Sequence, residues 1–360
     1  MIVSCTLRDV LADSKEWNEQ EKLIICRLFH EIVMTEPSWG DYRNVGSDTF
    51  KDIAGPGYRR FVDWMVGICI KENRKYSVGS FTKSFIIPNL SDANKASELV
   101  VVTRSLARFT HPKDNSHTTD EVSRHVLQCL QQLTMREQLV TNSVPYREAM
   151  ALYSCKRIYA GCFNVRYGEN SRRLSHAVIR MVSEGRNNLI LKETREDLVY
   201  YDIRSCFPCL LTLRINDADE RQRYVAALQQ DIYLQILKDM GSKWNRDQCK
   251  TAFSKALSDP KHKRVTPVTR WLSQCFPNLW RWILLQSSLA LNLQNTEAEI
   301  VVEMVGKFAI REELWYVPMY DGFLCRQQDE QQLVQALKDS FQRKVGYIPV
   351  VSRKLLSVTV

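Results

Sequence analysis

From about Glu16 to Met34 apolar positions recur every three to four residues, the period of one amphipathic helix, and Trp39-Gly40 then begins a polar loop. The run "GYRRFVDWMVGICIKENRKYSVGSFTKSFIIP" reads as a helix to about Ile70, followed by short alternating segments around Gly79 that form a hairpin. A helix followed by a basic hairpin, over residues 50–90, is the order of a winged-helix module and equally that of a small connector. Thr118-Thr119-Asp120-Glu121 has capping-box spacing, with Thr118 as N-cap and Glu121 reaching back, and predicts a helix to about Leu139. The first 145 residues are therefore expected to be a mainly helical N-terminal domain, with a boundary near Asn142 to Pro145.

The pattern changes in residues 146–360. "DLVYYDI" has the β-branched and aromatic content of a strand, and Asp202 sits at its end. Helical periodicity follows over Asp217 to Met240, Asn245 to Leu257 and Leu279 to about Phe308. Then come the strand "LWYVPMYDGFLC", a helix near Glu330 to Val345 and a terminal strand pair around "YIPVVSRKLLSVTV". The class predicted is α+β: an antiparallel sheet interrupted by a large helical insertion. Asp321-Gly322 is a type I′ hairpin signal, a turn that needs no chemistry to explain it.

Composition narrows the class. The 360 residues are 44% hydrophobic with low Pro and Gly, which fits a globular, well-cored chain. No apolar run is long enough to span a membrane, and "MIVSCTLRDVLADSKEW" lacks the order of a signal peptide, so a soluble, cytoplasmic protein is expected. The eleven scattered cysteines suit a reducing compartment. The pair Cys206 and Cys209 is better read as two small core residues than as a zinc site. No spacing among His111, His117, His125, His176 and His262 suggests a ligand set.

A formal charge of +9 favours an anionic partner. Between Lys156 and Arg195 nine Lys and Arg face three Glu, which reads either as a phosphate-backbone footprint or as a solvated basic face.

Asp202 and Asp321 both terminate aromatic-rich strands. If those strands are neighbours, the two carboxylates share one sheet edge and are a candidate ligand pair for two Mg²⁺ (or Mn²⁺) ions. In "NRDQCKTAFSKAL", Arg246, Lys250 and Phe253 stand at i, i+4 and i+7 and lie along one helix face. The two cations suit a triphosphate, with Phe253 packing or stacking beside it; an exposed basic stripe over a core Phe is the plainer alternative.

Asp202, Arg246 with Lys250, and Asp321, in that order, resemble motifs A, B and C of the superfamily of family A DNA polymerases and single-subunit phage-type RNA polymerases. The second half is also similar to polymerase-like proteins of phages and mobile elements. Their recurring pattern is matched by Asp202-Ile203 with Pro208, Asp231-Ile232-Tyr233, Arg246 to Lys250, Phe276-Pro277, Leu293-Gln294 with Glu297, and Tyr320-Asp321. Glu169 to Arg173 is similar to an element that touches the template strand.

The resemblance covers about Tyr167 to Val351. It implies a right-hand, polymerase-like palm with a helical fingers insertion at about 211–300. Asp202 and Asp321 would hold metal, Arg246 and Lys250 would act on the nucleotide, and Phe253 and Phe207 would border it, with Phe207 as a steric gate favouring deoxynucleotides or simply a core aromatic. Arg172, Arg173, Arg180 and Gln294 would meet nucleic acid, and Glu297 would be an accessory acid. Tyr320 replaces the usual His, and Leu257-Ser258 stand where Tyr-Gly is expected.

The function so implied is template-directed nucleotidyl transfer from nucleoside triphosphates to a 3′-hydroxyl on a template and primer. A replication-accessory, nucleic-acid-binding protein on the same scaffold without turnover is the alternative.

Overall fold

In the computed structural model the described residues are 2–34, 37–39, 42–45, 47–73, 83–86, 99–101, 116–136, 151, 154–155, 157–168, 170–259 and 265–356. They combine helices with small antiparallel sheets. Among the described residues no helix is long and apolar enough to cross a membrane.

Near the start, the helix Glu19–Met34 and the helix Arg59–Val66 pack through Leu28, Phe29, Ile32, Phe61 and Met65 into one core. A four-stranded sheet adjoins it, and its strands Lys71–Asn73 and Lys83–Ile86 are antiparallel. They flank the expected hairpin, whose tip at Gly79 lies outside the described residues, as does the boundary expected at Asn142 to Pro145.

The capping box sits two residues beyond the expected one. Asp120, not Thr118, caps the helix Glu121–Gln131 by accepting from the Ser123 amide at 2.9 Å. That helix ends early, because Leu133–Met135 leaves it as a strand paired with Leu189–Leu191.

The sheet that matters for the site has four strands in the order Tyr316–Pro318, Gly322–Arg326, Leu198–Ile203, Val351–Leu355, all neighbours antiparallel. Alternation along Leu198–Ile203 sends Val199, Tyr201 and Ile203 to one core and Leu198 to another, so both faces of the strand are covered. Val351–Leu355, within the expected terminal strand pair, pairs with Leu198–Ile203; residues 357–360 lie outside the described set.

Between Ile203 and Tyr316 the described residues form a series of helices, from Cys206–Leu211 to Gly306–Arg311, joined by short connections. Phe253, Trp271, Leu272, Phe276 and Ile283 lock these helices on the sheet, with Trp271 and Phe276 ring centres 4.6 Å apart. The periodic stretch from Asp217 to Met240 is two helices, because Asp231 at φ 81° breaks it and caps the second.

The stretch from Leu279 is likewise divided, into Pro277–Leu284, Leu289–Ala298, a π-helical segment Glu299–Val305, and Gly306–Arg311. A π segment widens the turn and displaces carbonyls from the usual ladder. Here the buried Tyr316 hydroxyl donates to the Val301 carbonyl.

Candidate active site

The strand Leu198–Ile203 delivers Asp202 to its end, and a left-handed residue, Ser205 at φ 58°, turns the chain at once into the helix Cys206–Leu211. Asp202 lies opposite Gly322, and the Ile203 amide donates to the Asp321 carbonyl at 3.0 Å. Asp321 is therefore held beside Asp202, close enough for each carboxyl group to act on the other.

The turn that carries Asp321 is not the Asp-Gly type I′ turn expected. Met319 and Gly322 exchange backbone hydrogen bonds at 2.7 and 3.1 Å, so Tyr320 and Asp321 are the central residues. Tyr320 at φ 55° is the one with positive φ, the sign pattern of a type II′ turn. Gly322 serves a different need: a Cβ there would run into the Tyr201 carbonyl and lie 3.1 Å from Asp202 Cα. The glycine thus lets the two acid-bearing strands approach.

A cavity of about 480 Å³ opens over this edge. It is lined by Asp202, Asp321, Glu297, Phe207, Arg173 and, from the helix Arg246–Ser258, Arg246, Lys250 and Phe253. Eight of the residues singled out in the sequence therefore meet at one place. Phe253 is 1% exposed and packs edge-on to Tyr233, so it is a core residue that also borders the cavity.

Arg246 Nε donates to Asp231 at 2.9 Å, and its guanidinium lies 5.3 Å from the Tyr233 ring centre. The sequence element Asp231-Ile232-Tyr233 thus orients Arg246 toward the cavity. Glu297, buried, takes a bidentate ion pair from Arg173.

Other expected residues lie elsewhere. Arg172 lines a separate cavity of about 810 Å³ and pairs with Glu303 at 3.5 Å. Arg180 and Gln294 do not line the acid cavity, and Glu169 is outside the described residues. Glu299, two residues beyond Glu297, pairs with Lys344. Cys206 and Cys209 are buried free thiols, as a core reading requires. Of the histidines, His125 and His176 bond backbone carbonyls, and His111 and His262 are outside the described residues.

Crowding of negative charge marks the centre. Burial pushes the Asp321 carboxyl up to about 7, reinforced by Asp202 and Glu297. Burial also raises Asp202, while Lys354 and Lys250 pull it back down. Burial raises Glu297 too, against the lowering effect of Arg173.

Lys354, Arg204 and Ser205 line the same cavity and were not foreseen. Lys354 stands on the edge strand opposite Tyr200, where its exposed charge left no periodic signal. Its one trace was the placing of "VSRKL" within an expected terminal strand pair.

No family model matches the sequence, and no curated protein does. Among solved structures the chain is similar to the POL domain of Pol1 from M. smegmatis in complex with DNA primer-template and dNTP, at 13% identity and a TM-score of 0.37. The match covers 66% of this chain and 56% of that one, so the chain spans little more than half of that neighbour's length.

Proposed function

We propose that the protein is a template-directed nucleotidyltransferase whose four-stranded sheet is the palm and whose insertion at about 211–300 is the fingers, preceded by a separate domain up to about residue 145. The observation that carries this reading is the pair of carboxylates at the ends of adjacent antiparallel strands, Asp202 and Asp321, lining one cavity with Lys250 and Arg246. Acids and cations so gathered suit a reaction that handles a metal-bound triphosphate.

The donor set suits hard divalent cations. Two carboxyl groups side by side, both raised by burial and Asp321 further raised to about 7 by its neighbour's charge, bear a cost of desolvation and repulsion that a cation relieves. No group of three or more His, Cys, Asp or Glu forms a metal cage among the described residues. A pair that leaves positions for water and phosphate oxygens matches the preference of Mg²⁺ or Mn²⁺. Bound there, the ions would supply Lewis-acid activation of the attacking hydroxyl and charge stabilisation at the leaving oxygen.

The residues divide the remaining work. Asp202 and Asp321 hold the cations, and Lys250 and Arg246 take the β- and γ-phosphates, where negative charge accumulates as the bond breaks. The 3′-oxygen of the primer forms a bond to the α-phosphorus, the α–β bridging bond breaks, pyrophosphate leaves, and the hydroxyl proton passes to solvent. Phe207 borders the sugar, and the basic segment from Lys156 to Arg195 follows the template backbone.

The test compares wild type with Asp202→Ala and Asp321→Ala in metal-dependent nucleotide incorporation on primed and unprimed templates. Incorporation by wild type and loss in both variants is expected. Equal signal in all three proteins would refute the assignment. In parallel, 5 mM Mn²⁺ should raise the melting temperature of wild type but not of either variant.

A further inference from the structure

Two side chains of the cavity are tied more firmly to each other than to the space they line. Arg173 donates to Glu297 through Nε at 2.9 Å and Nη2 at 2.7 Å, so both carboxylate oxygens are occupied. This planar fork is available to Arg and not to Lys. Glu297 is 1% exposed, and its remaining polar contact is the Cys206 thiol at 3.9 Å.

Arg173 reaches further. Its guanidinium carbon lies 5.7 Å from the Phe207 ring centre and 5.0 Å from that of Tyr320. Phe207 belongs to the helix that follows Asp202, and Tyr320 immediately precedes Asp321. One guanidinium therefore lies by an aromatic ring close in sequence to each acid.

Its own backbone is fixed. The Arg173 amide donates to Ser171 Oγ at 3.1 Å, and the Arg172 amide donates to Asn295 Oδ1 at 3.0 Å, on the helix that bears Glu297. To ligate a cation through the lone pairs that the guanidinium takes, Glu297 would have to give up this pair and leave a largely buried guanidinium uncompensated.

We propose that Arg173 and Glu297 form a positioning pair. Glu297 anchors Arg173, Arg173 holds Phe207 and Tyr320, and Glu297 stands outside the metal-ligand set. The catalytic part of this inference rests on the proposed function. The metal part is measurable without turnover.

The experiment titrates Mn²⁺ into the full chain, reading free Mn²⁺ by electron paramagnetic resonance, for wild type, Glu297→Gln, Arg173→Lys and the double variant, with Asp202→Asn as reference. Melting temperatures and incorporation kinetics are recorded on the same samples. Asp202→Asn should weaken Mn²⁺ at least tenfold and Glu297→Gln less than twofold. Arg173→Lys and Glu297→Gln should each lower kcat about 10–100-fold with nucleotide KM little changed, and the double variant should lose no more than the worse single one.

Mn²⁺ binding weakened by Glu297→Gln as much as by Asp202→Asn would make Glu297 a ligand and overturn the proposal. So would multiplicative losses in the double variant, or wild type failing to bind Mn²⁺. Should Glu297→Gln not fold, Glu297→Asp, which keeps the charge but shortens the reach, replaces it with the same expectations. If wild type binds Mn²⁺ but incorporates nothing, the proposed function fails, and the Mn²⁺ comparison still decides whether Glu297 is a ligand.

Discussion

Replacing Gly322 by Ala adds one methyl group at the closest approach of the two acid-bearing strands. The new Cβ would lie 3.0 Å from the Tyr201 carbonyl carbon and 3.1 Å from Asp202 Cα, and closer still to the Tyr201 oxygen. Carbon pairs prefer roughly 3.5 Å or more, so the strands must part by on the order of 1 Å, and the obstacle is backbone that cannot rotate away. Overpacking of this kind costs about 1–3 kcal/mol, or roughly 3–10 °C of melting temperature. The larger effect falls on the site, because the same movement stretches the 3.0 Å bond from the Ile203 amide to the Asp321 carbonyl. A misplacement of about 1 Å in a reacting constellation can cost about 10²-fold in rate. The assay pairs metal-dependent incorporation with thermal melting for Gly322→Ala and for Gly57→Ala, whose added Cβ meets nothing within 4 Å. Near-normal activity in both variants would refute the claim that this glycine sets the spacing of the acids.

Asp231→Asn keeps a helix cap and a tolerated positive φ but removes the charge paired with Arg246, so nucleotide KM should rise about 3–10-fold with kcat little changed. Lys250→Ala should instead lower kcat about 10²–10³-fold, and equal KM effects in the two variants would contradict the division of roles. His176 donates from Nε2 to the Pro318 carbonyl at 2.8 Å, and its buried Nδ1 has no partner. Burial holds this imidazole down at about 4 against 6.5 when free, so the unfolded chain protonates first. Its stability contribution is present above pH 6.5 and is lost as pH falls toward 4, about 2 kcal/mol of it between pH 7 and 5. Denaturant titrations should show that slope in wild type and a shallower one in His176→Gln; parallel slopes would contradict the assignment.

The gathering of these residues at one cavity was legible where it depended on local pattern. The acids at strand ends announced themselves by interrupting apolar runs, and the period of the helix Arg246–Ser258 put Arg246, Lys250 and Phe253 on one face. What the pattern could not reveal was pairing between distant positions. Arg173 and Glu297 belong to a strand and a helix more than a hundred residues apart, and neither residue type signals a partner. Lys354 was hidden because an exposed cation on an edge strand looks like any other. Asp231 stood out only through the resemblance; as one polar residue in a helical run it gave no sign of the positive φ that divides that run in two. The π segment Glu299–Val305 was invisible for a related reason, since one inserted residue hardly disturbs a hydrophobic period. Asp-Gly misled because the glycine answers to the neighbouring strand and not to the turn.

The strand order of the sheet also dictates when the acid pair can exist. Val199 pairs with Cys325 and with Leu355, 126 and 156 positions further along (325 − 199 and 355 − 199). Such pairings are slow to close, since a long loop must be ordered before they repay it. A nascent chain that has emerged only through the helix Leu289–Ala298 holds Asp202, Arg246 and Lys250 but neither strand that flanks Asp202. Growing chains therefore carry the cations long before they carry an assembled acid pair, which arrives only with the closing of the sheet.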